Sequence, residues 1–143
     1  MPFTRLRFFD GQILSAGDFE TEQAYHLEKR RLHNRFVHGP GVVTGLEISV
    51  DGPSITVSPG FALDPFGNEI LVEQPVRLSA AGHSGKGCYV TIRYTETLAD
   101  PVPTSDGSEF TRVIESFAVE LSESPAQDAL VLGHLDATSG TGT

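Results

Sequence analysis

Apolar side chains recur at helical spacing between Ser15 and His38, and from Val42 onward they alternate with polar ones over short runs. At 100° per residue, Phe19, Tyr25, Leu32, Phe36 and Val37 fall in one broad sector with His26 and His33, while Glu20, Gln23, Arg31 and Asn34 fall outside it. A helix with one packed and one wet face is expected. Ser15 can accept from the first-turn amides, and Asp18 is a short version of the reciprocal capping partner. Asp18, Glu20 and Glu22 open the segment and Lys29, Arg30, Arg31 and Arg35 close it, the order the helix dipole favours. Gly39-Pro40-Gly41 then stops the helix at about His38. A rod from Ala16 to Val37 spans roughly 33 Å at 1.5 Å per residue. That is more surface than a small sheet covers, so part of it is expected to meet another subunit or a partner. Leu27, pointing away from the main apolar sector, is a contact candidate.

Before the helix, Phe3, Phe8 and Phe9 lie in a strand or extended arm that ends at the turn signal Asp10-Gly11. Aromatic rings so close to one another belong in a core or against a neighbour. After the helix, Val42 to Val50 reads as a strand interrupted by Gly45. Asp51-Gly52-Pro53 turns it into a hairpin with Ser54 to Ser58, and Phe61 to Leu63 and Asn68 to Glu73 flank the turn Asp64 to Gly67. Gly87 to Thr97 alternates most clearly, with Cys88, Val90, Ile92 and Tyr94 on one side. Arg112 to Ser122 and Ala129 to Leu135 complete the strands, while residues 79–86 and 99–109 read as loops, the second long and exposed. The turn spacing is that of antiparallel units rather than βαβ crossovers. The expected fold is α+β, mainly β, with one long N-terminal helix packed on an antiparallel β-sandwich or partly open barrel. The organisation is an arm over 1–14, the helix over 15–38, a β domain over 42–135 and a flexible tail over 136–143, all within a single domain.

A chain of 143 residues can bury one respectable core. Its formal charge of −9 argues against a nucleic-acid backbone as partner. No apolar run approaches the ~20 residues of a bilayer span, and the N-terminus lacks the layout of a secretory signal. A cytoplasmic protein is expected, or one carried out within a larger particle. The lone cysteine, Cys88, leaves no internal disulfide and reads as a buried strand residue.

Candidate chemistry is sparse. His26, His33 and His38 are spaced by seven and five residues rather than at i, i+4, so no metal site is expected. Asp10, Asp18 and Asp64 could form a hydrolytic carboxylate set, but each already has a use in a turn or cap. No G-x-S-x-G elbow exists, and the GHSGKG run at 82–87 lacks P-loop spacing. No cofactor is implied.

Four ordered motifs do carry information: FFDGQILSAGDF (Phe8–Phe19), QAYHLEKRRLHNR (Gln23–Arg35), HGPGVVTGLE (His38–Glu47) and VSPGFALDPFGNEI (Val57–Ile70). Together they resemble the N-terminal module of small proteins found with phage tails and phage-tail-like contractile injection systems. The resemblance covers about the first half of the chain and fades beyond Gln74. It implies a non-enzymatic structural or adaptor subunit of a baseplate, tail fibre or related particle, whose partners are other subunits of that particle. The long helix and aromatic arm fit such a role, and symmetric association into a trimer or hexamer would bury them. Contact candidates are Phe3, Phe8, Phe9, Leu27, Arg30, Arg31 and Arg35. The alternative is a cell-envelope glycan-binding module or hydrolase, with Asp10, Asp64 and the 99–109 loop beside a groove.

Overall fold

Helix α1 runs Ala16–His33 and begins where the sequence marks it. The Ser15 hydroxyl accepts from the Asp18 amide (3.3 Å), and the Asp18 carboxylate accepts from the Ser15 amide and hydroxyl (2.8 Å each), a reciprocal box that satisfies the first turn. A single π turn, Asn34–His38, extends the helix, and the Gly39 amide closes it on the Asn34 carbonyl at 2.8 Å. The computed structural model describes residues 3–83 and 87–136. Residues 137–143 of the expected tail over 136–143, and Lys86 in the GHSGKG run, lie outside these.

Nine strands follow among the described residues: β1 Gly41–Gly45, β2 Ile48–Asp51, β3 Ser54–Val57, β4 Gly60–Leu63, β5 Glu69–Val72, β6 Val76–Ser79, β7 Cys88–Thr104, β8 Gly107–Ser122 and β9 Leu130–Leu135. They form three antiparallel three-stranded sheets, ordered β1-β4-β5, β2-β3-β6 and β8-β7-β9, with no closed barrel. The class is α+β, mainly β. Inward residues two apart on each sheet meet in one core: Ile55 and Val57, Ile70 and Val72, Val90 and Ile92, with Leu46 and Ala62. Each such side chain contributes about 1.5–3 kcal/mol by leaving water, so this shared core is what joins the sheets.

The expected strand over 42–50 is two strands in different sheets. The chain turns at Gly45 (φ +62) and Leu46 (φ +56), where β1 crosses β4 with no room for side chains. A Cβ on Gly45 would sit 2.0 Å from the Pro59 carbonyl oxygen, and one on Gly60 2.3 Å from that of Thr44. The short β6, with Val76 and Leu78 half-buried, was not anticipated and pairs with β3.

The expected loop at 99–109 is instead the distal half of a β7–β8 ribbon, paired from Tyr89↔Ser122 out to Thr104↔Gly107. Prolines 101 and 103 argue against a central strand, yet β9 pairs with β7 only from Cys88 to Ile92, so beyond that point β7 has an open edge. Prolines two residues apart face the same way, and can both direct their missing N–H groups to that open side. A backbone irregularity at Asp100 (φ +53) accommodates the change, with Thr111 donating its hydroxyl to the Asp100 carbonyl at 2.8 Å. The arm at 3–14 forms no strand; it leads to a turn in which the Gln12 amide donates to the Phe9 carbonyl (3.2 Å).

Candidate interaction surfaces

The helix meets the β domain on the side opposite to the one its apolar pattern selects. Not one residue of α1 is fully buried, and Phe19, Leu32, Phe36 and Val37 of the apolar sector are all exposed. The contact face is instead Leu27, Arg30, Arg31 and Asn34, spaced i, i+3, i+4 and i+7. Its receptor is the β4–β5 loop. Asp64, 2% exposed, accepts from the amides of Phe66 and Asn68 and from the Asn68 side chain, each at 2.8 Å, and so fixes the loop. Asn68 then accepts from Arg31 Nε at 2.7 Å, and the buried Asn34 amide donates to the Gly67 carbonyl at 2.9 Å. Gly67 (φ +86) lets the helix backbone touch the loop: a Cβ there would stand 2.3 Å from the Arg31 carbonyl oxygen. A buried amide must be satisfied, and a helix backbone that needs a glycine to approach has one place to lie. These demands outweigh a loose apolar stripe.

Leu27 is therefore half-buried in the crevice of this joint, with Gly67, Asn68, Tyr94 and Glu115. Arg30 lies 3.7 Å from Glu69, and Arg31 reaches Glu28 (3.1 Å) and Glu96 (3.6 Å) as well as Asn68. Phe3 folds back on the helix, edge-on to Tyr25 (6.4 Å between centroids) and under the Lys29 ammonium (4.6 Å). Phe8, Phe9 and Arg35 remain exposed.

Two open grooves border the helix. One, of about 350 Å³, lies between the arm and the helix and is lined by Phe3, Glu28, Arg31, Leu32, Arg35, Phe66 and Asn68. The other, of about 370 Å³, lies where the helix ends, against Asn34, His38, Val42, Val43, Phe61 and Leu63. Elsewhere on the arm and helix, Ile13 and Phe36 are 93% and 74% exposed.

The ribbon is the third surface. From Asp100 to Ser116 every residue is exposed, including Val102, Phe110, Val113 and Ile114. At its root Tyr94 donates to Glu96 Oε1 at 2.9 Å, across from Glu115. Partial burial, then these two carboxylates, push the phenol well above its usual range. The sequence marks 99–109 as exposed, but Val113 and Ile114 belong to a run that reads as a strand over Arg112 to Ser122, and nothing in its pattern tells a covered face from an open one.

The candidate chemical residues are not gathered. Asp18 is committed to the helix cap, where the Ser15 hydrogen bonds hold its carboxyl below the usual range; Asp64 is committed to its loop; and Asp10 stands exposed in the arm's turn. His26 approaches Glu22 (3.2 Å) and His33 stacks edge-on with His38 (5.0 Å). Among the described residues no group of three or more metal-ligating side chains occurs. Nor is any helix among them long and apolar enough to cross a membrane.

No family model matches this sequence, and no curated protein matches it. Among solved structures it is similar to a chain of the type VI secretion system TssK-TssF-TssG baseplate subcomplex, determined by cryo-electron microscopy. The TM-score is 0.59 at 13% identity, over 94% of this chain and 56% of that one. A chain of the baseplate complex from the type VI secretion system aligns at a TM-score of 0.46 and 14% identity, over 92% of this chain and 53% of that one. The chain thus spans about half the length of the solved chains it matches, and at this identity what is shared is the fold.

Proposed function

We propose that this protein is a non-enzymatic structural or adaptor subunit of a phage-tail-like particle, assembled in the cytoplasm and acting through contacts with other subunits and with copies of itself. The observation that carries the reading is the fold likeness to a baseplate chain over 94% of the sequence. The surfaces support it. Apolar side chains stand in water on the arm, the helix and the ribbon, far beyond the scattered exposure of a self-sufficient domain. Of the carboxylates that hydrolysis would need, Asp18 and Asp64 are engaged in a cap and a loop, and Asp10 stands exposed in the arm's turn. The test is to tag the chain in its native host, separate particles by density gradient, and probe the fractions that negative-stain microscopy shows to hold tail-like assemblies. Co-migration with those assemblies is expected. A chain found only at the position of free protein, in cells that hold such particles, would overturn the reading.

A further inference from the structure

A two-stranded ribbon is marginally stable alone in water, and this one extends well past the third strand that supports its root. Its outer half carries exposed Val102, Phe110, Val113 and Ile114, so burial elsewhere is favourable. Its charge is one-sided. Between residues 96 and 115 it holds five carboxylates (Glu96, Asp100, Asp106, Glu109, Glu115) and one arginine, Arg112. Glu96 and Glu115 are engaged at the root with Arg31 and Tyr94. Asp100, Asp106 and Glu109 toward the tip face solvent.

The opposite charge collects at the arm–helix groove. Arg31 and Arg35 line it and the Lys29 ammonium sits over the Phe3 ring at its edge; Arg31 is paired with Glu28, also in the lining, and with Glu96, whereas among the described residues Lys29 and Arg35 pair with no carboxylate. The groove also offers Leu32 and Phe66, both partly exposed, for an apolar side chain to cover. In a chain of net charge −9 two uncompensated cations beside an open groove are a local exception, and a carboxylate-rich tip is their electrostatic complement. The ribbon tip does not lie in its own groove, since all its residues are exposed.

We infer that the ribbon tip of one copy docks in the arm–helix groove of the next copy, placing Asp106 and Glu109 against Lys29 and Arg35, and Phe110 against Leu32 and Phe66. Because donor and acceptor patches differ, each copy gives one ribbon and receives one, so the contact can be repeated from copy to copy. This extends the self-association in the preceding reading and assigns it an interface.

The test uses sedimentation velocity on the full chain over a wide concentration range, with circular dichroism confirming the fold of each variant. Asp106→Lys with Glu109→Lys reverses the ribbon, and Lys29→Glu with Arg35→Glu reverses the groove; all four side chains are exposed. Each pair alone should weaken self-association at least tenfold. The four changes combined in one chain should restore it, since both partners are then inverted. Oligomers that ignore either reversal would overturn this interface while leaving a role in a particle intact. A wild-type chain that stays monomeric throughout, or a fourfold variant that stays dissociated when both reversed pairs are, would overturn it too.

Discussion

Gly67→Ala tests whether the helix is held by the loop that carries this glycine. Its Cβ would stand 2.3 Å from the Arg31 carbonyl oxygen and 2.9 Å from Arg35 Cγ, and the residue sits at φ +86. The left-handed conformation alone costs a non-glycine residue about 1–2 kcal/mol. The approach to Arg31 is also about 1 Å short of ordinary contact, and a backbone carbonyl, unlike a side-chain end, cannot swing aside. About 3 kcal/mol in total is reasonable, but the protein need not bear all of it. Helix α1 has no buried residue and docks through two principal hydrogen bonds, Arg31 to Asn68 and Asn34 to Gly67. These are worth about 1–3 kcal/mol each when they involve a charged or buried group. Strain and docking energy are thus comparable, and letting go is the cheaper response. Hydrogen exchange should show protection in 16–38 falling by ten- to a hundredfold, at 1.4 kcal/mol per decade, while the amides of β3, β5 and β7 in the core hold. Gly52→Ala is the control, because Gly52 (φ +56) has nothing within 4 Å of its would-be Cβ. It should pay only the backbone term and leave helix protection unchanged. Equal exchange in the helix for wild type and Gly67→Ala would refute the joint as described.

Asp64→Asn keeps an oxygen for the two backbone amides but turns an NH₂ toward that of Asn68, so a loss of about 1–3 kcal/mol in urea unfolding is expected. The depressed Asp18 carboxyl stabilises the folded helix start above its ordinary value of 3.8, and that stabilisation is lost as pH falls through the lower folded value. Protection of the Ser15 amide, its exchange rate taken relative to the intrinsic rate at each pH, should therefore fall in acid, and Asp18→Asn should abolish this pH dependence. Tyr94 has the opposite sign: its raised phenol contributes stability that is complete below the ordinary value of 10.0 and declines as pH rises beyond it. The ultraviolet difference titration of wild type minus Tyr94→Phe should show ionisation above 10.0, and Glu96→Gln should bring it down. Ile55→Ala, at a fully buried site on β3, should cost about 2–5 kcal/mol and lower the thermal midpoint of the whole domain.

What the chain determines by itself is local. The Ser15–Asp18 box, the Gly39 stop, the Gly52 turn and the two-residue alternation of β3, β5 and the first half of β7 each depend on neighbours a few residues away, and each is readable in order. Tertiary structure decided what faces what. The apolar sector of α1 is a real pattern, but the helix turned its Leu27–Asn34 side inward because a buried amide and a glycine contact reach across more than 30 residues of sequence. The 99–109 segment looks like a loop because prolines and acids break its pattern; it is a strand because β8 supplies a partner and β9 leaves an edge free. Burial is likewise a property of the assembled layers. Period-two alternation places a side chain on a face, and whether that face meets another sheet or water depends on where the ladder outruns its neighbours. On the ribbon it outruns them, and the overhang from Asp100 to Ser116 is left exposed.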